Sequence, residues 1–253
     1  MSKQDYEILA QAEWENLISN ALESMNLDAD KEAVEQTAAF VVEMLEVNRS
    51  LNLTGLTDSQ DVLDLHLKDS WTLLSVLDPL LEEKPELSFL DLGTGAGFPG
   101  MPVKILRPSI HLILMDALAK RIRFLEESAN KIKLAQPWFA VHVRAEEAAR
   151  NPKYRENIDF VTARAVADLR ILLEYALPLV KPGGHFVAMK AECEEELQAA
   201  LPAMKKLGGE LVEAKFFCIP GTEVKRSLIV VRKAKACAKR FPRSNASIKK
   251  NPL

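Results

Sequence analysis

Apolar positions follow two regimes along this chain. Up to about residue 82 they recur at helical spacing. From Leu87 onward, short apolar runs alternate with helical stretches. Residues 4–25 place Ile8, Leu9, Ala12, Leu17, Ala21 and Leu22 on one broad face among Glu and Gln, which predicts an amphipathic helix. Asp28 or Asp30 is suited to cap a second helix that runs to about Asn48, with Val34, Ala38, Val41, Val42 and Leu45 inward. The turn-rich stretch Asn48-Arg-Ser-Leu-Asn52-Leu-Thr54-Gly55 then interrupts the pattern. A third helix, Asp61 to Leu77, carries His66, Lys68 and Asp69, and Pro79 and Pro85 are expected to break the pattern after it. Residues 1–82 therefore read as a helical extension packed on a core of residues 83–235, with residues 236–253 as a tail.

The core alternates. Strands are predicted at Leu87–Leu92, Ile110–Met115, Trp138–Val143, Ile158–Thr162, His185–Met189, Leu211–Ile219 and Ser227–Val231. Helices are predicted at Ala117–Lys133, Leu169–Leu179 and Glu194–Leu207, the second ended by Pro182-Gly183-Gly184. Seven strands, the last two joined through the turn Pro220-Gly221, give an α/β fold. Its sheet is mostly parallel, with an antiparallel hairpin at one edge and the helical extension in front.

Between the first strand and the helix resuming at Met101 lie Gly93, Gly95, Gly97 and Gly100, four of the ten glycines within eight positions. A glycine bend there predicts bare backbone N–H groups at the sheet's carboxyl edge and close approach of a nucleotide-like ligand. Gly95-Ala-Gly97-Phe-Pro-Gly100 matches the dinucleotide fingerprint literally, but that signal is weak alone. Asp91, two residues before the first glycine, repels a pyrophosphate and attracts the sulfonium and ammonium of S-adenosylmethionine (SAM). Asp91 can also simply cap the bend.

Residues just after each strand are the remaining candidates. Asp116, after the second strand, is placed to accept the hydroxyls of an adenosine ribose or to cap the next helix. Glu146, after the third, is placed for the adenine edge or as a first-turn acid favoured by the helix dipole. Arg164, after the fourth, lies where a transferred methyl points. It suits an anionic or carbonyl-bearing substrate, or else forms an ion pair with Asp159 or Asp168. Lys190 ends the fifth strand. Arg164 and Lys190 are expected to position a substrate, with no general base required.

Composition adds one asymmetry. The net charge is -3, yet residues 224–253 carry ten Lys or Arg and no acid, leaving 23 basic and 36 acidic residues elsewhere, a net of -13. A polyanion met at one face explains this, and so does a solvated, partly disordered tail. No apolar run is long enough to cross a membrane, and the N-terminus lacks a signal-peptide core. Cys193, Cys218 and Cys237 lack metal-ligand spacing, so no metal is expected and free thiols in the cytoplasm are the simplest account. The acids flanking Cys193 are expected to raise its pKa and remove it as a nucleophile.

Phe-Leu-Asp-Leu-Gly-Thr-Gly-Ala-Gly-Phe-Pro-Gly at 89–100, Asp-Ala-Leu-Ala-Lys-Arg-Ile-Arg-Phe-Leu at 116–125, Arg-Ala-Glu-Glu at 144–147 and Ala-Arg-Ala at 163–165 together resemble the RsmG/GidB family. Asn52-Leu-Thr54 and His66-Leu-Lys-Asp69-Ser70 look like that family's helical-extension motifs, so the likeness spans nearly the whole chain. The resemblance implies a class I, Rossmann-like, SAM-dependent methyltransferase of guanine N(7) in the decoding-region loop of bacterial 16S rRNA. The substrate is then small-subunit rRNA or a 30S assembly particle, and the enzyme a cytoplasmic monomer.

The resemblance also implies SAM contacts at Gly93, Phe98, Ala145, Glu146 and Arg164, with Asp116 at the ribose. Arg226, Arg243 and Lys250 are the expected phosphate grips. The tail departs from the family pattern at Ser244, Ala246 and Ile248. The residue-level alternatives are a class I methyltransferase acting on a protein or small molecule, and an NAD-linked oxidoreductase. Ring-nitrogen methylation is favoured because that nitrogen has a free lone pair and no proton, so it needs positioning and charge balance alone. The chain also lacks an Asn/Asp-Pro-Pro-aromatic loop of the kind exocyclic-amine methylation uses.

Overall fold

A computed structural model describes residues 6–164 and 167–253. Its sheet has seven strands, β1 (Ser88–Leu92), β2 (His111–Asp116), β3 (Trp138–His142), β4 (Ile158–Arg164), β5 (Val180–Lys190), β6 (Gly209–Cys218) and β7 (Lys225–Lys233). They lie in the order β3-β2-β1-β4-β5-β7-β6. β1 pairs in parallel with β2 and β4, β2 with β3, and β4 with β5; β7 runs antiparallel between β5 and β6. This is the expected mostly parallel sheet with an antiparallel edge. Strand order reverses between β1 and β4, which is where open α/β sheets bind ligands beyond their carboxyl ends.

One sheet face is covered by α1 (Gln11–Ser24), α2 (Lys31–Leu51), α6 (Gly100–Leu106) and α7 (Ala119–Lys131). Trp14, Ile18, Phe40 and Leu45 share a single apolar cluster there with Phe89, Leu112, Leu114 and Phe124. The extension's core and the sheet's core are thus one body of buried apolar surface. The opposite face packs against α9 (Leu169–Ala176) and α10 (Glu194–Lys206), whose Leu173, Leu197 and Met204 join Val161, Phe186 and Ile229.

Most predicted elements recur within two residues, and the exceptions have local causes. The first helix begins at Gln11 rather than residue 4, while residues 4 and 5 lie outside the described residues. Tyr6 donates its hydroxyl to the Leu45 carbonyl at 2.6 Å, and Arg49 donates to the Tyr6 carbonyl at 2.7 Å, so this strap is held out of helix by tertiary contacts. Asp30, not Asp28, caps α2 by accepting from Ala33 N at 2.8 Å.

The third helix is not continuous. It passes from α3 (Ser59–Val62) through a π turn at Leu63–Lys68 to α4 (Asp69–Trp71), and a π turn inside a helix is often the mark of a functional position. Pro79 does not break α5 (Leu74–Glu83), because Lys215 Nζ supplies the donor that the Ser75 carbonyl lacks, at 3.2 Å. α9 ends at Ala176, and Pro182-Gly183-Gly184 falls inside β5 beside a register shift. A side chain on Gly184 would meet the Asp159 carbonyl, so glycine is required for that pairing.

Candidate functional site

The bend after β1 folds on its own donors. Gly93 N and Thr94 N donate to the Met115 carbonyl, and Gly97 N and Phe98 N donate to the Thr94 carbonyl. Gly95 N donates to Asp116 Oδ2 at 3.0 Å, and Gly100 N to Asp91 Oδ2 at 2.8 Å. The expectation of bare N–H groups is therefore corrected, since a phosphate would find these donors already spent. A carboxylate holds the seat at the start of α6 where a dinucleotide's pyrophosphate would sit.

The glycines have different jobs. Gly93 and Gly95 take positive φ of 76° and 59° at the rim of the bend. Gly97, whose φ is also positive at 101°, and Gly100 are held by packing instead of by ligand approach. A Cβ on Gly97 would come within 2.8 Å of Leu125 and 2.9 Å of Met101, and one on Gly100 within 2.6 Å of Leu114 and 2.8 Å of Asp91.

Asp91 is buried and uses only one oxygen. Its Oδ2 accepts from Thr94 Oγ1 at 2.7 Å as well as from Gly100 N, so it does cap the bend. Its Oδ1 is buried without a hydrogen-bond partner. Burial pushes this carboxyl up to about 6, against the opposing pull of the Thr94 and Gly100 hydrogen bonds and of the Arg164 charge.

Two cavities flank the connection from β4 to α9. The first, about 370 Å³, is lined by Gly93, Asp116, Ala145, Glu146, Ala167, Ile171, Tyr175 and Asn245, among others. Four of the sequence-predicted residues (Gly93, Asp116, Ala145 and Glu146) thus meet around one space. Asp116 also accepts from Leu118 N at 2.8 Å and Arg121 Nη1 at 3.2 Å, an Asx turn rather than a direct helix cap.

The second cavity, about 300 Å³, is lined by Leu56, Leu65, His66, Asp69, Arg164, Met189, Lys190, Ala191 and Arg226. Arg164 lines this one while Ala167, three positions further along the chain, lines the first, so their Cα atoms lie at most about 11 Å apart. Ala165, the end of the Ala-Arg-Ala motif, lies outside the described residues.

Arg164 is fixed on every side, although neither Asp159 nor Asp168 is its partner. Asp159 pairs with Lys84 and Lys181, and Asp168 with Arg170. Arg164 Nη1 instead donates to the Leu65 carbonyl at 2.8 Å and to Asp69 Oδ2 at 3.2 Å, and Nη2 donates to His66 Nδ1 at 3.0 Å. Because a guanidinium only donates, His66 Nδ1 must accept, and the ring proton sits on Nε2, which meets Thr54 Oγ1 at 2.8 Å. Burial, then the Arg164 charge, pushes His66 down to about 3, so it is neutral at any ordinary pH. His66 stacks on Phe98 at 4.3 Å, and Arg164 lies over the other partner of that stack, 5.6 Å from the Phe98 centroid.

Phe98, expected against the cofactor, is 3% exposed and acts from beneath by shaping Arg164 and His66. The Asn48 side chain folds the Asn52-Leu-Thr54 turn, its Oδ1 accepting from Leu53 N at 2.6 Å and Thr54 N at 2.9 Å. His66 and Asp69 were visible as an i, i+3 polar pair in an apolar helix, but nothing local linked them to Arg164, almost a hundred residues away.

Lys190 and the tail need correction. Lys190 Nζ is bound to the Ala167 carbonyl and to Glu196 Oε1, each at 2.7 Å, so it braces the β4–α9 connection. Arg226 Nε meets Asp69 Oδ1 at 3.2 Å and borders the second cavity. Arg243 is not a free phosphate grip, because its Nε and Nη2 grasp Glu174, a fully buried carboxylate, at 2.9 and 2.6 Å. Lys250 is exposed at the end of α11 (Asn245–Lys250). The tail is not a solvated strand of chain: Arg155 donates to the Phe241 and Cys237 carbonyls, and Ile248 is buried. Cys193 does have a raised pKa, but burial is the main cause, with Glu196 secondary.

Among known proteins, the family model for rRNA small subunit methyltransferase G (GidB) matches residues 33–228. The ribosomal RNA small subunit methyltransferase G of Acetivibrio thermocellus is 38% identical over 237 residues, 94% of this chain and 96% of the relative. That of Lachnoclostridium phytofermentans is 40% identical over 233 residues, 92% of this chain and 94% of the relative. Of solved structures, TrmN from Thermus thermophilus is 24% identical, covering 65% of this chain and 48% of that one at a TM-score of 0.45.

Proposed function

The chain belongs to the rRNA small subunit methyltransferase G family, and from that premise we propose that it transfers a methyl group from SAM to N(7) of a guanosine in small-subunit rRNA, as naked RNA or in a 30S assembly particle. The observation that carries the chemistry is the state of the glycine bend. The N–H groups of Gly93, Thr94, Gly95, Gly97, Phe98 and Gly100 are spent internally, and Asp91 keeps one buried oxygen without a partner. That environment favours a cation and disfavours a pyrophosphate, which separates this reading from an NAD-linked enzyme. The first cavity also has the size of a small-ligand site and is lined by the carboxylates Asp116 and Glu146, which supports reading it as the donor site.

SAM supplies an electrophilic methyl on a positively charged sulfur. The protein's part is positioning and charge balance. Asp116 would hold the ribose, Ala145 and Glu146 would border the adenine, and Asp91, buried behind the bend and lining neither cavity, would supply negative charge toward the cationic end. In the second cavity Arg164 retains Nε–H and one Nη2 hydrogen after its three bonds to Leu65, Asp69 and His66. Those donors suit the O6 edge of guanine, next to N(7). The transfer moves one positive charge from the donor sulfur to the guanine, and Asp91 and Asp69 keep a carboxylate near each end of that path. N(7) carries no proton, so neutral His66 has no base role and acts by orienting Arg164.

The target base leaves its stack to reach this depth. Lys250 is exposed and free to grip a phosphate, Arg226 would reach one only with the donors that its bond to Asp69 leaves, and Lys190 acts through the β4–α9 connection. The reading takes the enzyme to act as a monomer, and its three free cysteines fit a reducing cytoplasm.

Methyl transfer to small-subunit rRNA measured across a salt series tests the RNA half of the proposal. KM for RNA is expected to rise steeply between about 50 and 200 mM salt while SAM affinity stays nearly constant. Transfer that is indifferent to salt would exclude phosphate contacts as the source of affinity.

A further inference from the structure

Residues 237–248 sit against the sheet's helices through many anchors. Arg243 locks onto buried Glu174 of α9, Arg150 donates to the Pro242 carbonyl at 3.0 Å, and Phe241 is 2% exposed. Ser244 caps α11 by accepting from Ser247 N at 3.3 Å. These contacts bring Asn245 and Lys249 to the wall of the first cavity, beside Tyr175. Nothing in the charge pattern of this segment points to that place, since its basic residues suggested contact with RNA alone.

We propose that the C-terminal segment is a wall of the methyl-donor site, with the Asn245 side-chain amide donating a hydrogen bond to a ring nitrogen of the donor's adenine and Tyr175 holding that amide in place. The proposal rests on reading the first cavity as the donor site. Adenine needs apolar walls for its faces, an acceptor for its exocyclic amine and donors for its ring nitrogens. Val143, Ala145, Ile171 and Leu172 provide the walls, and the carboxylates Asp116, Glu146 and Asp168 can only accept. Donor side chains on the lining are Arg144, Tyr175, Asn245 and Lys249.

Tyr175 has given its hydroxyl hydrogen to Asn245 Oδ1 at 2.6 Å. With the hydroxyl donating to Oδ1, Nδ2 is left as a neutral donor. Arg144 and Lys249 are exposed cations, poorly suited to a neutral heteroaromatic edge. Tyr175 is thus a positioning residue, and Asn245 the group that touches the ligand.

Calorimetric titration of SAM into the full chain, Asn245→Ala, Tyr175→Phe and the double variant tests this, with thermal melting and rRNA binding measured on each. Asn245→Ala is expected to weaken SAM by about 3- to 10-fold, the loss of one neutral hydrogen bond, with rRNA affinity and melting unchanged. Tyr175→Phe should weaken it less, and the double variant should match Asn245→Ala alone, because Tyr175 acts only through Asn245. Unchanged SAM affinity in Asn245→Ala, or weakened RNA binding in its place, would overturn the inference and return the segment to the RNA face. Failure of the unaltered chain to bind SAM would remove the donor-site reading itself, and is a separable result.

Discussion

Asp91→Asn is expected to weaken SAM binding by about 10- to 100-fold at pH 8 without lowering the melting temperature of the free protein. The affinity loss is that of a charge-assisted contact to a cationic ligand, about 1.5–3 kcal/mol. The stability argument runs the other way. A folded pKa of about 6 against 3.8 for an unhindered carboxyl means that the ionised form is disfavoured by burial. That costs about 3 kcal/mol of stability at pH 8. The cost is fully present above pH 6 and disappears as pH falls toward 3.8, so the free protein gains stability on acidification through that window. Asparagine keeps an oxygen for Thr94 and Gly100 and removes the charge.

SAM affinity has the opposite pH dependence. It should decline as pH falls through about 6, because the cationic ligand needs Asp91 ionised, and Asp91→Asn should flatten that decline. Calorimetry and thermal melting between pH 5 and 8 check both statements. A variant that melts lower at pH 8 yet binds SAM normally would reduce Asp91 to a cap.

Arg164→Lys is expected to lower kcat by at least about 100-fold while SAM affinity moves less than threefold. A lysine keeps the charge but cannot reach the Leu65 carbonyl, Asp69 and His66 at once, so the donor edge offered to the base loses its orientation. Misplacement of about 1 Å in such a site costs on the order of 100-fold. Arg164→Leu removes the charge as well. Asp69 is 3% exposed and would keep only Arg226, so this variant should also lose about 3 kcal/mol of stability. Steady-state kinetics with separate SAM and RNA titrations, alongside denaturant melts, distinguish the two losses. Equal activity in the lysine variant would mean that Arg164 supplies bulk charge and no geometry.

How much of this was legible in the chain depends on the range of each interaction. The strands, their order class and the carboxyl-edge residues Asp116, Glu146 and Arg164 follow from local periodicity and the rule that places sites at strand ends, while Ala145 is implied by the family resemblance alone. The breaks in helices were less accessible. The π turn around His66 satisfies contacts to Arg164 and Thr54, and Pro79 is tolerated because Lys215 reaches the Ser75 carbonyl from β6. Arg164 lies 98 residues from His66 and Lys215 lies 140 from Ser75, so no short window of sequence contains both partners of either contact.

The glycines were half legible. Their clustering announced a bend, but whether each faces a ligand or a neighbour depends on Leu114, Leu125 and Met101, which belong to other elements or turns. Charge patterning misled at the tail for a related reason. Arg243 looks like a free cation until buried Glu174 is found beneath it, and Tyr175 and Asn245 carry no signal before the fold joins them.

The central claim is methylation of a guanine ring nitrogen presented to Arg164, with SAM held in the cavity lined by Gly93 and Asp116. Its most direct test is to incubate the purified chain and methyl-labelled SAM with small ribosomal subunits from cells lacking this enzyme, then cleave the rRNA with borohydride and aniline, which cut at N(7)-methylguanosine. The account predicts one labelled guanosine per subunit, cut by that treatment, and labelling at least about 100-fold slower with Arg164→Lys under the same conditions. Label that survives the cleavage, or that appears on protein and not on RNA, would contradict it.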